Sequence, residues 1–573
     1  MPKNLPTNNI HWKFGMTKYL LGFIGLVTLF LGFSPLAIET KTYYFQTYSF
    51  YLTFISITIW FWTLLPKTIS KKSISSHMPA SILACIFIVF ISILSPPHLR
   101  ILYDETNLIG VSQAMFEHNT CYIPTQALFH NQNTYIIDHE WGIRPFVFPF
   151  FLYLIHLTKG YALSNVYLLN ISAGLLTLFS FYLLLQRFFS KPLAVLGMGL
   201  LSAYPIFVFW TTSGGFEIVN LGFAIFAFYQ FHCLLTSKEP LQTTRLIFTL
   251  ILLAQIRYEA VLFLCTIGPF IVWQCIKHAH SRPHTIAIVA PILLLPVAWQ
   301  RTLHSGDQAF MVQEGASMFG INHFLTNIQH AYAFFSGTES AYGTIPILFY
   351  ISILGTLIGI IHLIRNHKQV PHTTLIFIFA ATIACLLQAS AILGYILGNL
   401  TRPFSIRLGI IFLPFLITPI IYLCHLITNK KNIFIAPFTL ATTVIIFWGW
   451  SVASKNTPIQ NLRLYQINQA YTDFFQEQDP QKQALIISPY SRCFVPDQRS
   501  AITFNYANQN WQEIMGHLQN GTVNKIYICQ IADAQTKTPH NNTRLTHNAR
   551  LNPLTELQIG ADIFRISQIS PQK

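Results

Sequence analysis

Apolar runs of about eighteen or more residues recur along this chain, and each is long enough to cross roughly 30 Å of hydrocarbon. Only 10% of the 573 residues are charged and 52% are hydrophobic, against about 25% charged in a soluble domain. The mean hydropathy is +0.46. An ordinary soluble enzyme is excluded. The expected fold class is an all-α polytopic membrane protein.

Spans are expected at about 18–37, 43–65, 79–96, 163–185, 192–211, 216–236, 284–300, 345–365, 373–397, 405–427 and 432–453. The run 244–277 is too long for one crossing and is interrupted at Arg257-Tyr258-Glu259, which predicts two short helices meeting at one membrane face. The total is about thirteen crossings. The first run is too long for a signal h-region and lacks a small-residue cleavage site, so it is read as a retained span.

The net charge of +15 does not point to nucleic acid, because the basic residues form no stripe or arm. They sit in the short loops: Lys67, Lys71 and Lys72; Arg187 and Lys191; Lys238 and Arg245; Lys277 and Arg282; Arg365 and Lys368; Lys430 and Lys431. The opposite loops carry mostly single arginines. This bias places the N-terminus in the cytoplasm and the C-terminal region outside it. The apolar stretch 144–158, with Pro145 and Pro149, is too short for a crossing, and counting it as one inverts every later loop. It is expected as a juxtamembrane or re-entrant helix.

The chain divides into N-terminal spans over 1–96, a large outer loop with juxtamembrane helices over 97–162, the main membrane domain over 163–454, and an outer domain over 455–573. In the last, helical periodicity through Tyr465, Ile467, Tyr471 and Phe474 precedes a strand-like run, Ala484 to Ile487. A second helix over Trp511 to Leu518 precedes another strand, Ile526 to Ile531, and a final apolar alternation runs from Leu557 to Ile566. A small α/β domain is expected there. Its Cys493 and Cys529 lie outside the cytoplasm and are candidates for a disulfide. The chain has no CxxC or Cys/His zinc-ligand spacing.

Two outer loops are long, 97–162 and 301–344, and long loops are commonly functional. The first opens with adjacent carboxylates, Asp104 and Glu105. Leu108, Ile109, Val111, Ala114, Met115 and Phe116 follow at helical spacing and predict an amphipathic helix on the membrane. The acidic pair falls in its first turn, where free N–H groups favour ionised carboxylates. The bland alternative is a helix cap. Asp138, His139 and Glu140 lie at the far end of the loop, where His139 is most simply a solvated residue. Arginines stand where they are expensive: Arg144 before the short helix, Arg257 in the hairpin break, Arg402 and Arg407 at the start of a span. Guanidinium groups grip phosphate. Snorkelling, or pairing with Glu217 or Glu259, is the structural alternative.

An early outer Asp-Glu pair, an amphipathic helix, Arg144-Pro145 opening an apolar juxtamembrane helix, and a span ending Leu183-Leu184-Leu185-Gln186-Arg187-Phe188-Phe189 before a basic turn resemble the GT-C membrane glycosyltransferases. Within them the chain is most similar to the family-39-like group of protein O-mannosyltransferases and the bacterial aminoarabinose transferase of lipid A. The resemblance implies a hexosyl- or pentosyltransferase of the cell envelope, in the bacterial inner membrane. The sugar donor is then linked to polyprenyl phosphate, and the acceptor is an extracytoplasmic lipid, glycan or protein. It implies Asp104 as general base in an inverting transfer, with Glu105 beside it as an orienting group. Arg257, Arg402, Arg407 and Arg144 are the donor-phosphate candidates, and Asp138, His139 and Glu140 line the acceptor side. No metal is required, although other branches of the superfamily use a divalent ion. The chain departs from the group in having three expected spans, not one, before the acidic loop, and a single proline after Arg144. The competing readings are a polysaccharide ligase or polymerase and a lipid-linked-sugar transporter or flippase. A transporter predicts acidic residues at mid-span and inverted repeats, and neither is visible.

Overall fold

The computed structural model describes residues 38–65, 71–100, 102–130, 133–142, 144–237, 241–303, 317–338, 344–430, 435–455, 463–547 and 549–570, with 22, 25–30, 32 and 239 besides. The chain forms two compact units. One holds Met1–His98, Arg144–Phe150 and Tyr167–Pro458, the other Leu99–Ile143, Phe151–Val166 and Ile459–Lys573.

The first unit is helical. Among the described residues, seven helices are long and apolar enough to cross a membrane: Ser75–Leu94, Asn165–Leu185, Glu217–Thr236, Tyr258–Lys277, Pro346–Asn366, His372–Leu393 and Ile406–Thr428. Lys191–Ala203 and Pro205–Thr211 make an eighth if the pair, bent by 72°, counts as one. The expected thirteen are not confirmed among the described residues, and several of the reasons are local. Tyr204 precedes Pro205 and is extended at φ −66°, ψ 122°, as the proline ring disfavours helical backbone at the residue before it. The run 244–277 does break as expected, but its first half, Gln242–Ala254, has 13 residues, only about 20 Å of helix. The run 284–300 splits into Thr285–Ile288, a 3-10 segment Ala290–Leu294 and Leu295–Leu303, around Pro291 and Pro296. Ile38–Leu64 has the length, but Lys41, Gln46 and its hydroxyl residues lower its apolarity. The first expected span, 18–37, lies mostly outside the described residues. The short apolar helix expected at 144–158 runs Val147–Lys159.

The second unit is a mixed seven-stranded sheet with helices on both faces. Its strands are β1 (Tyr122–His130), β2 (Asn133–Trp141), β3 (Ala484–Ile487), β4 (Ser500–Ile502), β5 (Lys525–Asp533), β6 (Arg550–Ile559) and β7 (Asp562–Ser570), in the order β2-β1-β4-β3-β5-β7-β6. β3 runs parallel to β4 and β5, and the other pairs are antiparallel. Strand period two sorts the core into two layers. Ala484, Ile486, Tyr527, Cys529 and Ile531 meet Ile467, Tyr471 and Phe475 of the helix Arg463–Gln478. Leu485, Ile487, Ile526 and Ile528 meet Phe504, Ala507 and Ile514 on the opposite face.

Four expectations are corrected here. The far end of the first outer loop, including Asp138, His139 and Glu140, is strand β2 and not irregular loop, and β1 pairs with β4 at Ala127↔Ala501. The alternation 557–566 is a hairpin that turns at Gly560, whose φ of +62° suits glycine. The helix Leu102–His118 does not lie as a membrane-surface amphipath: Glu105 through Met115 are buried on every side. It packs on β1, where an added Cβ at Gly110 would stand 3.4 Å from Ile123 and Pro124. Cys493 and Cys529 are both free and buried, so the suggested disulfide is absent.

Two polar cores brace this unit. The buried Arg499 donates Nη1 to Asp479 Oδ2 at 3.1 Å and to the Asp479 carbonyl at 2.9 Å, and Nε to Asp497 Oδ2 at 3.0 Å. Removing one partner of a buried ion pair strands the other charge. Arg499→Ala is expected to lower unfolding stability by about 3–5 kcal/mol, read as the urea midpoint of the purified chain. A shift no larger than that of an exposed arginine such as Arg550→Ala would contradict it.

His156 is fully buried. Asn165 Nδ2 donates to its Nδ1 at 2.9 Å, and its Nε2 stands 3.2 Å from Ser112 Oγ, whose own hydrogen goes to the Ile109 carbonyl. The ring is therefore neutral with its proton on Nε2. Burial holds its pKa down to about 4. The unfolded ring takes its proton near 6.5 and the folded one does not until about 4. Stability is thus complete above pH 6.5 and lost as pH falls through that window, by about 1.4 kcal/mol per unit. His156→Gln should flatten the fall in denaturation free energy between pH 7.5 and 5. An unchanged slope would assign the titration to another group.

Candidate functional site

The break in the 244–277 hairpin sets Arg257 in extended backbone at φ −142°, ψ 145°, between the helices Gln242–Ala254 and Val261–Lys277. Arg407 comes from the 3-10 segment Ile406–Phe412. Both reach Glu217, in the first turn of Glu217–Thr236. Arg257 Nη1 lies 3.5 Å and Arg407 Nη1 3.4 Å from the same oxygen, Glu217 Oε1. Arg257 Nη2 makes a shorter pair with Glu259 Oε1, at 2.6 Å. The side chains of Glu217, Arg257 and Arg407 are 1%, 8% and 6% exposed.

Aromatic rings hold each guanidinium as well. Arg257 lies 4.8 Å over Phe216, and Arg407 4.3 Å over Phe404, distances at which a cation is attracted to the ring face. The charge of Arg144 also acts on Glu259, and the Arg144 carbonyl accepts from Gln300 Nε2 at 2.6 Å. Among the described residues, Glu217 Oε2 and Arg257 Nε are buried without hydrogen-bond partners, as are both amide atoms of Gln255, two positions before Arg257. Such idle buried groups are expensive, and their gathering marks a place built for more than packing. Arg402 does not join them: its side chain is exposed.

In the second unit, Asp104 and Glu105 occupy the first turn of Leu102–His118, as the spacing predicts. They are not equivalent. Glu105 is buried at 1% exposure, and its Oε2 accepts from the Arg100 backbone N–H at 2.5 Å. It fixes the approach to the helix. Asp104 is half-buried. Beside it, Tyr103 lies under Arg492, 5.7 Å from the guanidinium carbon, and Arg492 pairs with Glu140 at 2.5 Å. Burial raises the Tyr103 phenol above its usual range.

The structure thus brings Glu140 and the Asp104 turn together through Arg492, a residue the sequence did not single out. Asp138 takes another course. It accepts from Gln126 Nε2 at 3.2 Å and from the His139 backbone N–H at 2.9 Å. His139 rests against the Tyr122 ring at 4.7 Å. Among the described residues no three His, Cys, Asp or Glu side chains are placed to hold a metal ion. Glu217 had been visible only as a partner for arginine. Its signal is a lone carboxylate after Ser213-Gly214-Gly215-Phe216, at the mouth of an apolar run.

No family model and no curated protein matches the chain. Solved structures to which the chain is similar include the oligosaccharyltransferase of Archaeoglobus fulgidus in the apo form, at 12% identity and TM-score 0.48, covering 80% of this chain and 69% of that one. The same enzyme tethered to an acceptor peptide with the NVT sequon gives 10% and 0.47, covering 82% and 74%. ArnT from Cupriavidus metallidurans bound to undecaprenyl phosphate gives 11% and 0.43, covering 86% and 98%. At these identities and scores the likeness bears no functional weight.

Proposed function

We propose that this protein is a GT-C-type membrane glycosyltransferase that moves a sugar from a polyprenyl-phosphate donor to an extracytoplasmic acceptor. The observation that carries this is the convergence of Arg257 and Arg407 on one buried point, Glu217, which Arg407 reaches across 190 positions of sequence. Buried arginines that share one anion form a ready phosphate grip, because guanidinium N–H groups match phosphate oxygens. Arg144 adds positive potential to the same group. Asp104 is half-buried in the first turn of its helix, where the dipole favours a negative charge.

The chemistry assigned to these groups balances without a second acid. An acceptor hydroxyl or amine attacks the anomeric carbon, and its proton passes to the Asp104 carboxylate. The bond between that carbon and the phosphate oxygen breaks, and its electron pair remains on the phosphate. Arg257 and Arg407 stabilise that charge. Attack opposite the leaving group inverts the sugar centre. Glu105 holds the Arg100 backbone, so its part is to position the turn that carries Asp104.

The two roles have separate readouts. Asp104→Asn, which keeps the shape of the side chain, is expected to lower transfer by about 10²–10⁴-fold while leaving insertion and lipid-phosphate binding intact. Near-normal transfer with a defined donor would remove Asp104 as base. Arg257→Ala and Arg407→Ala are each expected to weaken binding of a polyprenyl phosphate by about tenfold or more, measured by calorimetry or native mass spectrometry in detergent. Unchanged affinity in both would place the phosphate elsewhere.

A further inference from the structure

Glu217 sits where an anionic ligand of Arg257 and Arg407 would sit. Both Nη1 atoms address its Oε1 at 3.4–3.5 Å, near the limit of hydrogen bonding. The Arg257–Glu259 contact is far shorter at 2.6 Å. The second oxygen of Glu217, Oε2, is buried and has no hydrogen-bond partner among the described residues. This carboxylate is therefore enclosed but loosely held.

The arginines, by contrast, have other holders. Glu259 and the Phe216 ring keep Arg257, and the Phe404 ring keeps Arg407. Both guanidiniums can remain in place if Glu217 swings away. Room for its present pose comes from Gly215, where an added Cβ would stand 2.1 Å from Glu217 Oε2.

Charge favours the exchange. Glu217 and Glu259 set two negative charges against Arg257 and Arg407, with Arg144 acting on Glu259 as well. A phosphate entering beside an unmoved Glu217 meets a like charge in a poorly screened site. A phosphate that replaces Glu217 inherits both guanidiniums.

We propose that Glu217 is a built-in competitor anion: it holds Arg257 and Arg407 convergent between turnovers, yields them to the lipid phosphate on binding, and returns to expel the lipid phosphate left by transfer. This rests on the phosphate role of the two arginines and adds a release step to it. Glu217 is a positioning residue under this scheme, and it tunes affinity downward.

The sign of its effect separates this from a purely structural role. Glu217→Gln keeps the size of the side chain and removes its charge. Polyprenyl phosphate is expected to bind the variant about tenfold more tightly, and steady-state transfer should show a lowered KM and a lowered kcat, with product release slowed. A structural brace predicts the reverse, weaker binding and a raised KM. Unchanged or weaker binding by Glu217→Gln overturns the proposal.

If Glu217→Gln fails to fold in detergent alone, it is purified with undecaprenyl phosphate present. Recovery of the folded protein by that lipid supports the exchange, and failure to recover overturns it. Loss of binding in Arg257→Ala and Arg407→Ala, without a gain in Glu217→Gln, defeats only this inference. Full binding in the arginine variants defeats the phosphate site itself.

Discussion

Charge that water cannot reach must be answered within the protein, and the Arg257–Glu217–Arg407 group is where this chain meets that demand most sharply. Each side chain is nearly closed to solvent, and an unpaired ion there would be intolerable. The local fold follows from it. The hairpin 244–277 breaks where Arg257 stands, the span Glu217–Thr236 begins with its carboxylate, and the segment before Leu413 winds as 3-10 helix to bring Arg407 in. Arginine suits this position because it cannot shed its proton to escape burial.

The second unit solves a different problem. A short parallel core, β3 between β4 and β5, would leave an open edge beyond β4. The hairpin of β1 and β2 covers it, borrowed from a segment more than 300 residues earlier, with Phe129 N–H donating to Ser500 Oγ across 371 positions. The same insertion carries the acidic helix. Because Leu102–His118 packs on β1 and is buried on both its faces, the Asp104 turn is held by a rigid sheet and not by lipid. Sites on supported elements hold geometry better than sites on loops.

Several features were legible from residue order alone. The helices at 165–185, 217–236, 346–366 and 372–393, the break at Arg257, the helix from Leu102, and the strand Ala484–Ile487 all fall where period and length put them. Local pattern is enough when it is strong and repeated. Misreadings arose where two causes competed. Leu108, Val111 and Met115 have the spacing of a surface amphipath, yet Thr106, Asn107, Ser112 and Gln113 on the other face are buried too. Thr106, Ser112 and Gln113 find partners inside the fold: the Tyr103 carbonyl, His156 and Glu117. Spacing cannot reveal a partner supplied by a distant segment. Proline likewise divides apolar runs that hydropathy counts as whole, as at Pro205 and Pro291.

The sequence by itself determined the solvent of this protein: a chain so poor in charge and so rich in long apolar runs is stable only as packed helices, with a polar α/β outlier at its end. It also named the arginines and the acidic pair, because ionisable residues in apolar surroundings are visible one at a time. Only the tertiary structure decided which of them act together. Arg257 and Arg407 share Glu217 while Arg402 stays outside, and Glu105 turns inward while Asp104 remains half-open. The reason is physical: burial and pairing depend on what packs across hundreds of residues, and residue order carries the charges but not their distances.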